Sequence, residues 1–461
     1  MKQVFKKAVL AVACAGGMAA TMQVEAANWL MLQGTEPASA AGRAKVWGFL
    51  QPTYRSTAGS EVAAGAWKGQ PAQFNMLPPH LSSNKEFSIA RARIGVRGVG
   101  FPLNSKVNYF FLAEFGSNGI TWPHGGDGAA MIDHASVTFN YIPGARIRAG
   151  LFKTPSSEEG LQAIHVFDYV NFTTFTDQML LERFFTTDGG GTYVTSPTVN
   201  SNVGGANGPN APVGAFRDIG VQVFDAFQIG GWETSYAVMV GNGNGINRGD
   251  DNTSLDKYLY LSTEKVFGGQ GPRREGLKLF AWSQRGERLL QVFDKTAGTY
   301  GAAQTFDRKR SGVGFTFRKD KYRAAGEYMR ADGMIFNGTD GGALVGSTSS
   351  AGTGSVVASF NMEPNEKAKG YYVHFGYAVL PKLELDVRYD TLNRATETAA
   401  KERDFKTTTL GAQWFFDKKN RVTVNYEMRS AEAPNLASTH NANLILDDMD
   451  NRLSVQITSI F

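Results

Sequence analysis

The stretch KLELDVRYD, residues 382–390, alternates strictly. Leu383, Leu385, Val387 and Tyr389 are apolar, and Lys382, Glu384, Asp386, Arg388 and Asp390 between them are charged. A period of two belongs to a β-strand whose two faces meet unlike surroundings. The same rule holds elsewhere. Val422, Val424, Tyr426 and Met428 alternate with Arg421, Thr423, Asn425, Glu427 and Arg429, and Ala92, Ile94 and Val96 oppose Arg91, Arg93 and Arg97. Charges this dense on one strand face do not fit a dry core. One face is wetted, and the other meets either a protein core or lipid.

Segments of about ten residues, the length a tilted membrane strand needs, recur along the chain. The pattern predicts sixteen, at 43–54, 86–98, 104–115, 131–142, 145–152, 216–226, 230–241, 254–266, 276–287, 307–318, 320–332, 366–378, 381–392, 404–416, 420–431 and 450–461. Those at 43–54, 254–266 and 276–287 give no clear inside and outside. Short links such as Ile142-Pro143-Gly144-Ala145, Lys319-Asp320 and Asp417-Lys418-Lys419 alternate with long ones, the longest at 153–215. Long loops at one end and tight turns at the other describe an all-β, transmembrane antiparallel β-barrel of sixteen strands. The last segment, RLSVQITSIF, puts Leu453, Val455, Ile457 and Phe461 on one face and Arg452, Ser454, Gln456 and Thr458 on the other. A closing strand removes the sheet's free edges, and a terminal Phe on it resembles the signal by which outer-membrane barrels are recognised for assembly.

Composition refines this picture. Aromatics make up 12% of the chain and glycine numbers 53, as a transmembrane barrel requires. Lys2, Lys6 and Lys7 precede a short apolar run, Ala8–Ala20, and Val24-Glu25-Ala26 offers a small-residue cleavage site, so residues 1–26 read as a secretory signal peptide. Cys14 is the single cysteine, which leaves no disulfide and no CxxC site after cleavage. Loss of Lys2, Lys6, Lys7 and Glu25 lowers the formal net charge from +5 to +3, too little to suggest a nucleic-acid binder. Residues 27–42, with Trp29, Leu30, Met31 and Leu32, form an N-terminal periplasmic segment, as a tether or as part of a plug. Residues 43–461 form the barrel.

From Phe87 to Phe185 the motifs SIARARIGVRG, KVNYFFLAEFG, IDHASVTFNY, RIRAGLFKTPSSEEGL and LLERFF stand in the order found in the phosphate-selective porin O and P family, which this segment resembles. The resemblance covers about a hundred residues in detail and the rest by architecture. It implies a Gram-negative outer-membrane porin, a homotrimer, with a long third loop folded into the lumen. The implied activity is passive diffusion of small hydrophilic solutes and ions through a water-filled channel. The implied partners are lipid, lipopolysaccharide, small anions or polar solutes, and the barrel assembly machinery acting through Phe461.

Selectivity in such a channel comes from charge at the narrowest point. The pore-lining bases expected on the second to fifth strands are Arg91, Arg93, Arg97, Lys106, Arg146 and Arg148. The constriction loop, 153–215, offers Lys153, Glu158, Glu159, Asp168, Asp177, Glu182 and Arg183. An acidic loop facing this basic wall implies a transverse field. The family passes anions along lysines and an arginine ladder. This chain keeps the arginines but has little lysine on the loop, so the expectation is a weak to moderate anion preference, with phosphate or another oxyanion as solute.

No enzyme is expected. His80, His124, His134, His165, His374 and His440 form no HExxH or close metal pair, and no GxSxG elbow or P-loop occurs. No cofactor or metal is called for. A barrel that sheathes a partner protein and an outer-membrane hydrolase are the alternatives. The first would conduct poorly when filled, and the second would lose activity on mutation of a histidine.

Overall fold

The computed structural model describes residues 28–32, 44–58, 85–100, 104–118, 130–182, 214–246, 249–269, 271–291, 299–337, 361–447 and 449–461, with short pieces at 63–64, 68, 72–73, 193–194, 293–294 and 343–344. Its wall is a closed barrel of sixteen antiparallel strands. These are β1 Lys45–Thr57, β2 Lys85–Gly100, β3 Asn104–Glu114, β4 Met131–Phe139, β5 Arg146–Lys153, β6 Arg217–Ile229, β7 Trp232–Gly241, β8 Asp256–Gly268, β9 Glu275–Gln291, β10 Gln304–Lys319, β11 Tyr322–Asp332, β12 Lys367–Leu380, β13 Leu383–Arg394, β14 Arg403–Phe415, β15 Asn420–Glu432 and β16 Arg452–Ile460. Each strand pairs with the next in chain order, and β16 pairs back onto β1. The two-residue strand Tyr193–Val194 lies parallel to the end of β9 and is not part of the wall.

All sixteen segments expected from the alternation are therefore present, with ends displaced by a few residues. Long and short connections alternate as the sequence implies. The β6–β7 turn is two residues, Gly230 and Gly231, both at positive φ (56° and 77°), as a tight hairpin matching strand twist needs. At the seam, the Gly48 N–H donates to the Phe461 carbonyl at 3.1 Å and the Phe461 N–H returns a bond to Gly48 at 3.0 Å. A Cβ on Gly48 would meet the Phe461 ring at 2.5 Å, so the terminal aromatic lies where only glycine leaves room. Pro52 sits at a register shift between β1 and β2, where a missing N–H costs no ladder bond.

The faces separate as the alternation requires. On β13, Leu385 and Val387 are 45% and 40% exposed, while Asp386, Arg388 and Asp390 are at most 5% exposed on the inner side. Leu259, Leu261, Val238, Val240, Val373, Phe375, Leu410 and Ile457 extend this outward apolar band. An exposed apolar surface this continuous suits hydrocarbon and not water. Aromatic pairs such as Tyr322–Tyr377 and Phe267–Phe317 sit at the short-turn end, where barrels carry a girdle. Lys382 falls in the exposed β12–β13 turn and donates to the Phe416 carbonyl at 3.1 Å, so it takes no part in the inner face.

The structure assigns the three strands whose faces the sequence left unclear. On β8 and β9, Tyr258, Tyr260, Phe280 and Trp282 point inward and are buried, and on β1 Phe49 does the same. Inward aromatics erase the contrast between faces. They belong to an apolar cluster inside the barrel that also holds Trp29, Leu30, Met31, Phe175, Met179, Leu180 and Tyr372 (the cluster lacks Tyr258 and Phe49). Residues 27–42 were expected as an N-terminal periplasmic segment, a tether or part of a plug. Of these, 28–32 carry α1, Trp29–Leu32, and pack inside the barrel, because their apolar side chains find aromatic partners there. Residues 1–27 and 33–43 lie outside the described residues, as does the predicted signal peptide.

Candidate functional site

The wall of β2–β5 arranges its bases in two tiers, because β2 runs toward the short-turn end and β5 away from it. Arg91, Arg93 and Lys153 lie toward the long-loop end. Arg97, Arg146 and Arg148 lie toward the short turns. In the upper tier, Arg93 bonds Glu114 at 2.6 Å and Asp133 at 3.0 Å, and Arg217 on β6 joins Asp133 at 2.8 Å. Arg91 donates to Gln51 at 3.0 Å, and the Lys153 ammonium donates to the Gln162 carbonyl at 2.5 Å. In the lower tier, Arg146 pairs with Asp225. Arg148 donates to Gln222 at 3.3 Å and to the Leu30 carbonyl at 3.1 Å, with its guanidinium 4.3 Å from the Phe224 ring. Arg97 donates to the Leu32 carbonyl at 3.3 Å. Lys106 is exposed at the end of β3, over the Tyr141 ring at 5.5 Å.

The loop after β5 runs through the lumen. Ser157 caps α2, Glu158–Leu161, by accepting from the Gly160 N–H at 3.1 Å, which aims two acids into the interior. Glu158 takes Lys278 of β9 at 2.5 Å, and Glu159 takes Arg388 of β13 at 3.3 Å and the Thr173 hydroxyl at 2.6 Å. Asp168 lies 3.4 Å from Arg273 and 3.5 Å from Arg323. Glu182 meets Arg288 of β9 and Arg308 of β10, each at 3.0 Å. Asp177 sits in a helical turn, Thr176–Leu180, within electrostatic reach of Arg452. Backbone groups are held too. The Val170 N–H donates to Asn425 at 2.7 Å, the Thr174 N–H to Asp390 at 2.8 Å, and Arg310 to the Met179 carbonyl at 2.8 Å. Arg183 lies outside the described residues, as does 183–213 apart from Tyr193–Val194.

Among the shifted loop groups, His165 and Asp168 bear on the loop's seating. Burial, with Arg421 and Lys153 nearby, pushes the His165 imidazole down to about 3, so it is neutral near pH 7. Burial works against ionisation of Asp168, but Arg323 and Arg273 outweigh it and hold the carboxyl below its usual range.

Among the described residues, Glu158, Glu159, Asp168 and Glu182 make no ion pair with the β2–β5 wall, although Glu159 lines a cavity with its bases. The loop's carboxylates are taken by bases on β9, β10, β11 and β13 and in the β8–β9 turn. The β2–β5 wall draws its own carboxylates from neighbouring strands. What remains is a cavity between the loop and β1, β2, β5 and β6, lined by Arg55, Arg91, Arg93, Lys153 and Arg217 with Glu159. Among the described residues, no carboxylate lies within salt-bridge distance of Arg55, Arg91 or Lys153, and one terminal nitrogen of Arg55 has no hydrogen-bond partner. A second cavity on the other side of the loop carries both signs, with Asp168 and Glu264 against Arg274, Lys278, Arg318 and Arg323.

Arg55, Asp133 and Arg217 were missed by sequence reasoning. Arg55 lies just past the segment expected at 43–54, whose faces are unclear, and Arg217 opens β6 beside Asp218, where both neighbours are buried against the alternation. Asp133 shares a β4 irregularity with His134, so both are buried inside. The histidines suspected of catalysis each face an acid. His134 lies 3.0 Å from Asp133 and His374 lies 3.1 Å from Asp386. Neither makes a serine contact among the described residues.

This closed sixteen-strand wall with its lumenal loop defines a porin-type barrel. No family model matches the chain, and no curated protein does. Solved structures do. OmpF of Salmonella typhi, solved in complex with daunomycin, is 14% identical, aligns over 91% of this chain and 97% of its own, and has a TM-score of 0.51. An anion-selective porin from Comamonas acidovorans is 12% identical over 91% of this chain and 99% of its own, with a TM-score of 0.49. The outer-membrane channel DcaP of Acinetobacter baumannii is 14% identical over 93% and 100%, with a TM-score of 0.47. At this identity the likeness to OmpF establishes the fold.

Proposed function

We propose that this chain is a bacterial outer-membrane porin, a water-filled channel through which small hydrophilic solutes and ions diffuse, with a weak to moderate preference for anions. One observation carries the reading. The barrel turns its apolar residues outward and its charges inward, and the passage along β1, β2, β5 and β6 keeps Arg55, Arg91 and Lys153 without carboxylate partners. Sixteen strands leave room for water, and uncompensated cations in a low-dielectric mouth raise the local anion concentration. Small oxyanions, phosphate among them, fit that chemistry. The reading includes export by a signal peptide at 1–26, short turns toward the periplasm, long loops toward the lipopolysaccharide, assembly through Phe461, and a homotrimer.

The test is the reversal potential of the purified protein in a planar bilayer under a potassium chloride gradient. An open conductance of anion-selective sign is expected. Cation selectivity would overturn the preference and leave the channel, and a folded barrel that does not conduct would overturn the channel.

A further inference from the structure

We infer that residues 28–32 form an internal plug that narrows the short-turn end of the lumen beside the basic passage. The inference rests on the channel reading above. The segment crosses the lower tier from one wall element to the next. Asn28 donates to Glu233 at 3.1 Å and to Ser235, both on β7. Arg148 on β5 donates to the Leu30 carbonyl at 3.1 Å, and Arg97 on β2 donates to the Leu32 carbonyl at 3.3 Å. From the same turn, Trp29 reaches away from the wall and donates its indole N–H to Glu158 of the lumenal loop at 2.9 Å. Glu158 is tied in turn to Lys278 on β9. The segment thus bridges the wall to the loop at the level of Arg97, Arg146 and Arg148, on the short-turn side of Arg91, Arg93 and Lys153 along β2 and β5, and Trp29 lines the second cavity.

Its chemistry fits the seat. Trp29, Leu30 and Met31 are nearly fully buried and join the lumenal apolar cluster. The segment has no charged side chain, and its carbonyls serve as acceptors for two guanidiniums. Neutral residues placed there obstruct flow and at the same time reduce the field of the lower tier. Withdrawing the plug therefore widens the passage and turns those two arginines toward solutes. Among the described residues its polar ties to the barrel are side-chain bonds at Asn28 and Trp29, two bonds from arginine to carbonyl and a contact of Arg146 with the Met31 sulfur, and the rest is apolar packing. Such a segment opens far below the free energy needed to disturb the wall.

The experiment compares three forms of the full chain, each with Cys14→Ser so that no other thiol is present. These are the otherwise native protein, a deletion of 28–32, and the double variant Asn28→Cys/Ser235→Cys. The deletion is expected to raise single-channel conductance and move the reversal potential further to the anion side. The double variant is expected to form a disulfide on oxidation and to hold the low conductance until reduced. Equal conductance of native and deleted protein would overturn the plug while leaving the channel. Failure of the two cysteines to crosslink in a folded barrel would overturn the seat. Silence from both native and deleted protein, each folded and heat-modifiable, would overturn the channel reading and the gating role with it.

Discussion

The two sides of the lumen are built on different electrostatic plans. From β8 to β15, and on the loop that faces them, several charges come in closed sets, while Arg310 and Arg421 are held by carbonyl and amide oxygens. Arg288 sits between Asp256 at 2.8 Å and Glu182 at 3.0 Å, Arg388 takes Glu159, and Arg323 takes Asp386. From β1 to β6 the sets are left open at Arg55, Arg91 and Lys153. Buried pairs hold position, because breaking one strands its partner. Bases without a carboxylate are held instead by neutral oxygens, as Arg91 is by Gln51 and Lys153 by the Gln162 carbonyl, so their charge is not cancelled by a partner in contact. The first side is scaffold for the loop, and on the proposed reading the second is the surface that faces solutes.

The largest expected effect breaks the scaffold. Arg288→Met strands Asp256 and Glu182 together and should cost about 3–5 kcal/mol, read as a lower midpoint in refolding titrations, with the loop becoming sensitive to protease. On the outer face of the same side, Val424→Arg should cost about 2–4 kcal/mol near the bilayer midplane. The same change at Thr423, which points inward and is buried, should alter conductance instead. Equal destabilisation at the two sites would reject the face assignment.

The open side should respond oppositely. Replacing Arg55, Arg91 and Lys153 together by Gln strands no carboxylate, so the refolding midpoint should hold while the reversal potential moves toward zero. Loss of stability without a change in selectivity would mean that these cations are structural.

The smallest effect is one of pH. His165 has a folded value near 3, below the ordinary 6.5, so the unfolded loop binds more protons between those values. Seating of the loop is therefore fully stable above about pH 6.5 and weakens as pH falls toward 3. Asp168, held below its usual range, adds a loss in the same direction at lower pH. Limited proteolysis at pH 7 and pH 4.5 should show the loop loosening, and His165→Phe should reduce the difference.

Much of the barrel was legible because lipid and water impose a period of two that no other surroundings require over sixteen segments. The strands that blurred did so because of inward aromatics: on β8 and β9 Tyr260 and Trp282 serve an inner cluster supplied by the loop and by α1, and on β1 Phe49 is buried against His165 of the loop. That cluster is a tertiary fact with no local trace. The charges were legible one by one but not as pairs. Arg388 and Glu159 are 229 positions apart, and only strand order and register decide that they meet. Acids on the loop and arginines on the wall can be read from the sequence, but which acid meets which arginine cannot.

The seam has a consequence in time. Gln51 bonds Thr458 across 407 positions, and Phe461 completes the ladder at Gly48. The entropy of joining such distant points grows only with the logarithm of the separation, so distance does not forbid closure. Order of arrival does constrain it. Until β16 pairs with β1, both strands keep an unsatisfied edge that hydrocarbon will not tolerate. Insertion and closure of the sheet are therefore one event, and a barrel with an open seam has no stable place in the membrane at which to wait.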